Sequence, residues 1–313
     1  MSNLSWGVPE AHDPRVGFEA RSNVITSAWQ SGGDHIPCAV GPDRDLRESK
    51  TIHAESFTAM LVADLLIGQP EHREVVRGIL DTLRAELGDE DVFYFFKEHS
   101  LLPADADCTA LGFSVLIRGG EMITPRANQA LDRILANSNR SGVVETYFDP
   151  TGERAGILDS VVCANVLYLG YLLGREDELR PTLEYVERVL LTRAYIEGTR
   201  YYHSPDTFLY VLARLVRRFP ALHGELLEPL REAVRERQGA SSFSLDLAQR
   251  VIAARWLRID DGNESAKLLE LREADGGWPA DALFRYGRKR VYFGSRALTT
   301  AFALRALRVL NLP

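Results

Sequence analysis

The chain has 313 residues, 45% hydrophobic and 26% charged, with a formal net charge of −7. This is the composition of an ordinary folded globular protein and excludes the disordered and fibrous classes. No long Lys/Arg run offsets the acidic excess, so nucleic acid is not an expected partner, and no apolar run reaches the roughly 18 residues of a membrane span.

The first residues, MSNLSWGVPEAHDPRV, lack a basic stretch followed by an apolar core, so no leader is expected there. Residues 1–45 read as an irregular segment packed on the domain that comes after them. From about residue 48 onward, apolar segments of helical period alternate with short breaks carrying Gly, Pro, Ser or Asp. The spacing predicts helices over 50–67, 71–87, 105–118, 124–136, 159–173, 179–196, 205–219, 226–237, 244–257, 265–272 and 295–310, and it predicts no strand. Ser204-Pro205-Asp206 is a helix start in itself, with a capping hydroxyl, Pro at the first helical position and an acid in the first turn.

Two kinds of helix recur along this series. EHREVVRGILDTLRAEL and ELLEPLREAVRERQ carry Glu and Arg on one face, whereas SVVCANVLYLGYLLG, DCTALGFSVLI and RALTTAFALRAL are apolar nearly all round. A charged face belongs to a half-exposed helix and an apolar circumference to a buried one. The expected fold is therefore all-α: an (α/α)6 barrel of helical hairpins with inner and outer rings, forming one domain over 46–313. A helical solenoid would satisfy the same alternation, but no fixed repeat length is visible. Cys38, Cys108 and Cys163 are odd in number and without metal-type spacing, which fits a reducing, cytoplasmic setting.

The stretch Asp105-Ala106-Asp107-Cys108-Thr109-Ala110 puts two carboxylates, a thiol and a hydroxyl at one predicted helix start. Two carboxylates within one turn repel when both are ionised, so one of them can stay protonated near neutral pH and serve as a general acid. An acid ahead of an apolar run is equally what a helix N-cap looks like.

DADCTA resembles the acid motif of the class II terpene cyclases, which read Asp-x-Asp-Asp-Thr or Asp-x-Asp-Thr-Thr in some members and Asp-Cys-Thr-Ala in the oxidosqualene branch. Asp275-Gly276-Gly277-Trp278 is similar to the turn repeated in terpenoid cyclases and prenyltransferases, with the helix from Ser295 coming after it. The resemblance implies that Asp107 is the proton donor, Asp105 its partner carboxylate, Cys108 a thiol bonded to the acid, and Thr109 a structural hydrogen-bonding group within the motif. His53 or His203 is a further candidate for orienting the acidic proton. Length sets this chain apart from the two-barrel members, and it resembles the lone acid-bearing domain of drimane-type sesquiterpene cyclases.

The same resemblance implies an isoprenoid substrate, farnesyl diphosphate first, whose diphosphate is retained through cyclisation. Epoxide opening, suggested by Cys108, and a non-catalytic barrel binding a lipid or protein are the alternatives. A carbocation needs walls that stabilise charge without attacking it, and aromatic faces do so; Phe93, Tyr94, Phe95, Phe96, Tyr201, Tyr202, Tyr286, Tyr292 and Phe293 are candidates. Trp278 is expected as an apolar anchor of its turn and a further substrate-contacting residue. Arg285, Arg288, Lys289 and Arg290, with Arg200 as a second source, suit a diphosphate. Mg2+ could enter with that diphosphate, aided by the acidic stretches 88–91 and 176–178; no protein metal set and no organic cofactor are expected. A second copy of the chain or a phosphatase is the protein partner implied.

Overall fold

The computed structural model describes residues 14–52 and 55–308, with side chains from residue 23 onward. Among them are twelve α-helices: α1 (Pro14–Gly32), α2 (Phe57–Leu66), α3 (Arg73–Glu86), α4 (Ala106–Arg118), α5 (Thr124–Ala136), α6 (Ser160–Leu173), α7 (Arg180–Leu191), α8 (Pro205–Arg218), α9 (Glu228–Arg237), α10 (Ser244–Trp256), α11 (Glu264–Glu270) and α12 (Arg296–Arg308). The even-numbered helices form a closed inner ring, each packed on the next and α12 returning to α2. The odd-numbered helices lie outside; α3, α5, α9 and α11 each bridge two neighbouring inner helices, while α7 packs on α6 and α9.

Burial matches the two sequence types. In α6, every residue from Ser160 to Gly170 is buried, as its apolar circumference requires, whereas α3 buries only the stripe Val75, Val76, Ile79, Leu80 and Leu83. The all-α barrel expected from sequence is thus the observed fold. Ser204 caps α8 as expected, its hydroxyl accepting the Asp206 N–H at 3.3 Å.

Two expectations are corrected. The stretch before residue 46 is not wholly irregular: α1 packs against α12 and α3 and fills the sixth outer position. Strands are also present, contrary to the sequence reading. β1 (Cys38–Gly41), β2 (Lys50–Ile52), β3 (Ala282–Arg285) and β4 (Tyr292–Gly294) form an antiparallel sheet in the order β2-β1-β4-β3. The predicted helix over 50–67 accordingly begins only at Phe57, its first three positions being β2.

The inner helices run parallel. The starts of α2, α4 and α6 (Phe57, Asp107 and Val162) line a cavity at one end of the ring, and the sheet covers that end with Phe284 and Phe293. The C-terminal turns of α2, α4, α8, α10 and α12 line a separate cavity at the opposite end.

Candidate active site

Asp105 is the N-cap of α4: its backbone is extended (φ −137°, ψ 158°), and its Oδ1 accepts the Cys108 N–H at 2.7 Å. The capping reading therefore holds for Asp105. Asp105 caps, and Asp107, in the first turn, is left to face the cavity. Thr109 Oγ1 accepts the Phe93 N–H at 3.0 Å from a fully buried position; it ties the preceding loop to α4 and does not line the cavity.

Asp107 is buried, and its two oxygens are held by two side chains from different elements. The Asn165 amide of α6 donates to Oδ1 at 2.7 Å, and the Tyr202 hydroxyl donates to Oδ2 in a short hydrogen bond. Burial first, and then the neighbouring charge of Asp105, raise the Asp107 carboxyl to about 7, against the two donors that lower it. Burial raises Asp105 to about 6, opposed by its bonds from Cys108. Like charges and low dielectric act together here, so about half of Asp107 keeps its proton near pH 7.

The orientation of Asn165 is itself fixed. Arg214 Nη1 donates to Asn165 Oδ1 at 3.4 Å, so the amide presents its NH2 and not its carbonyl to Asp107. Arg214 is held in turn by Asp64 Oδ1 at 2.8 Å, and Arg118 bonds the same oxygen. Asp159 caps α6 through the Val161 N–H at 2.9 Å, while its second oxygen accepts the Tyr201 N–H at 3.0 Å. One carboxylate thereby starts α6, which carries Asn165, and anchors the loop that carries Tyr202. Neither Asn165 nor this supporting chain is evident from the motifs; a buried polar residue in the otherwise apolar SVVCANVLYLGYLLG was the one signal available.

The cavity above Asp107 opens to solvent, with about 570 Å³ of empty space counted out through its mouth. Its walls are aromatic: Phe95 meets Phe284 edge-on at 5.3 Å between centroids, Phe57 meets Phe284 at 6.0 Å, and Phe284 stacks on Phe293 at 5.4 Å. Phe96, Tyr147, Tyr201 and Tyr286 complete the lining, with the Cys108 thiol beside Asp105. The thiol thus bonds the partner carboxyl and not the donor to which the motif resemblance assigned it.

Of the four basic residues read as one cluster, only Arg285 lines the cavity. Its Nη2 donates to the Thr199 carbonyl at 2.9 Å, which fixes the guanidinium at the mouth. Arg154 lies over the ring of Tyr147 at 5.3 Å and bonds Tyr286, adding a second cation there. Arg288, Lys289 and Arg290 are exposed on the β3–β4 turn, with Arg290 paired to Asp43. Arg200 is also exposed, and its carbonyl accepts from Arg285 at 3.4 Å. A turn of three long, hydrated side chains costs nothing to leave in water, so sequence proximity to Arg285 did not bring them inside.

Several aromatic candidates are elsewhere. Trp278 is fully buried, with Nε1 donating to the Leu268 carbonyl at 2.7 Å and its N–H to Thr300 Oγ1 at 3.2 Å; it anchors the DGGW turn between α11 and α12 and is not a wall of the cavity. The turn needs Gly276 at φ 85°. Phe93 packs on Phe113 in the core, Tyr94 stacks on His99, and Tyr292 packs edge-on against His203 at 5.3 Å. His203 makes no bond to Asp107; burial, and then the charge of Arg44, push it down to about 3, so it is neutral. His53 lies outside the described residues.

Neither acidic stretch offers a metal site. Asp91 accepts from Arg126 Nε at 2.5 Å and Glu178 from Arg175 at 2.6 Å. Among the described residues no three His, Cys, Asp or Glu side chains converge to hold an ion, and no helix is long and apolar enough to cross a membrane.

A double helical ring with a buried acid at one inner helix start, roofed by aromatic rings, has the fold of the type II terpene cyclases. The structure superposes on an MstE variant from Scytonema, solved with geranylgeranyl dihydroxybenzoate, at a TM-score of 0.67 and 16% identity, covering 94% of this chain and 98% of that one. It superposes on a protein from Actinoplanes at a TM-score of 0.69 and 17% identity, covering 96% and 100%. In sequence, the chain is similar to sesquiterpene cyclases over part of its length. Residues 47–172 match the family described as the sesquiterpene cyclase astC-like C-terminal domain. Drimenol cyclase drtB of Aspergillus calidoustus is 36% identical over 231 residues, which are 72% of this chain and 42% of that protein. The chain thus matches less than half the length of that curated relative.

Proposed function

We propose that this chain is a protonation-initiated terpene cyclase acting on a linear prenyl diphosphate, farnesyl diphosphate first, and yielding a bicyclic drimane-type product that keeps its diphosphate. The observation that carries the reading is Asp107: a carboxyl raised to about 7 at the floor of an aromatic cavity. An alkene is a very weak base, so its acid must be protonated at rest and its conjugate base must be stabilised at once. Burial and Asp105 meet the first demand; the Tyr202 and Asn165 donors meet the second.

In this reading the Asp107 proton adds to the distal alkene, the inner double bonds close two rings onto the cation, and loss of a ring-adjacent proton ends the sequence, so one proton enters and one leaves. The faces of Phe57, Phe95, Phe284 and Phe293 stabilise the migrating charge. Arg285 and Arg154 at the mouth suit the diphosphate. Mg2+ would arrive on the diphosphate, since Asp91 and Glu178 are already matched to arginines. Because the diphosphate survives this chemistry, an alcohol product requires a phosphatase acting separately. Three buried free cysteines suit a reducing cytoplasm.

Epoxide opening is kept as a second reading because the Cys108 thiol sits against the acid pair. The test is mass spectrometry of products from geranyl, farnesyl and geranylgeranyl diphosphates and from a terminally epoxidised farnesyl compound lacking the diphosphate. Farnesyl diphosphate should give a bicyclic C15 diphosphate, and Arg285→Ala should raise its KM while leaving the epoxide unaffected. No product from any of the three diphosphates overturns the reading.

A further inference from the structure

The far end of the barrel carries a cluster that the cyclisation chemistry does not use. Arg118, Arg214, Arg217, Arg218 and Arg305 converge on a second cavity with about 800 Å³ of empty space, and Asp64 is the only carboxylate in its lining. Five arginines against one acid leave a formal excess of 5 − 1 = +4.

Part of this charge has a structural explanation. The inner helices end here with the negative poles of their dipoles, which favour cations, and Arg118 does donate to the Asp64 carbonyl at 3.2 Å. Asp64, however, is consumed by Arg118 and Arg214. Arg217, Arg218 and Arg305 have no carboxylate partner among the described residues. Burial, and then the like charge of Arg305, depress Arg217, a repulsion that dipole compensation alone does not call for.

Two donors on lining residues have no hydrogen-bond partner: Nε of Arg214, a side chain more than nine-tenths buried, and Nε1 of Trp256. A buried donor left unmatched is costly, so such a group marks a place where an acceptor belongs. The flat faces of Trp256 are already covered, by Arg217 at 5.1 Å and by Tyr210 at 5.6 Å. A nucleobase therefore finds no ring to stack on, and a prenyl tail finds few apolar walls.

We propose that this cavity is a binding site for a small, multiply charged phosphate anion of the diphosphate class, separate from the acid site and at the opposite end of the barrel. Exposed Arg217 and Arg218 and half-buried Arg305 supply the charge that draws the anion in. Binding does not depend on the cyclase reading.

The test is calorimetric titration of the full chain with inorganic diphosphate in the absence of Mg2+. Arg217→Ala/Arg305→Ala removes two guanidinium groups that have no carboxylate partner among the described residues and should weaken binding at least about tenfold; Arg285→Ala, at the other end, should leave it within about twofold. Affinity should fall as NaCl is raised, since part of the charge is exposed. Circular dichroism establishes that each variant is folded. The proposal is overturned if inorganic diphosphate does not bind, if Arg285→Ala and not the double variant abolishes binding, or if farnesyl diphosphate occupies the Arg217/Arg305 site in clear preference to the inorganic anion.

Discussion

Asp107→Asn separates stability from chemistry, because it fixes at every pH the neutral state that the fold prefers. The carboxyl rises from its ordinary 3.8 to about 7, chiefly by burial and then by the charge of Asp105. At about 1.4 kcal/mol per tenfold change in proton affinity, this corresponds to roughly 4 kcal/mol against the ionised form. Between about pH 4 and 7 the folded chain keeps a proton that the unfolded chain has released, so the parent loses stability as pH rises through that window, and the deficit is complete above it. The amide keeps the bond from Asn165, but it turns the Tyr202 hydroxyl into an acceptor and strands its proton, at a cost of about 1 kcal/mol. The variant should therefore be about 2–3 kcal/mol more stable than the parent at pH 8 and no more stable at pH 4, as read by urea unfolding across that range. Its turnover of farnesyl diphosphate should drop at least about 10³-fold, since the proton to be delivered is gone. A variant no more stable than its parent at pH 8 would refute the neutralised buried acid. Turnover within tenfold of the parent would refute Asp107 as the donor.

If Asp107 acts in its protonated form, kcat/KM should be flat below about pH 6 and fall about tenfold per pH unit above 7. Tyr202→Phe withdraws a hydroxyl that lowers the carboxyl; it should shift that falling limb to higher pH and reduce kcat about 10–100-fold, and a limb moving to lower pH would contradict the assigned bond. Thr109→Val removes the partner of the Phe93 N–H and should cost about 1–3 kcal/mol in denaturant unfolding without moving the pH limb. Movement of the limb would make Thr109 part of the acid's tuning.

The helical ring was legible because burial on all sides and burial on one face leave different patterns in sequence. The predicted helix over 124–136 has the observed bounds of α5. The DADCTA cap was legible for the same local reason, since capping involves residues within one turn. What escaped depends on distance along the chain. β1 and β4 have four and three residues, too short for a period, and each exists because the other end of the chain meets it. Asn165 and Tyr202 reach Asp107 across 58 and 95 positions, and nothing local distinguishes such a tyrosine from a core ring. Arg285 and Arg290 looked alike as neighbours, and only the strand geometry sends one to the cavity and the other to water.

The seam between α1 and α12, with β1 paired to β4 through Ala39 and Gly294, bears on how the protein is made. At about 5–20 residues per second, a ribosome takes roughly 13–50 s to pass from one side of that seam to the other. Throughout that interval α1 has been synthesised but its partner α12 has not, and contacts of such wide separation form slowly even once both are present. Phe284 and Phe293, which roof the cavity, arrive with the last strands. The aromatic roof over Asp107 is therefore the last part of the cavity to be made, well after the helix start that carries the carboxyl.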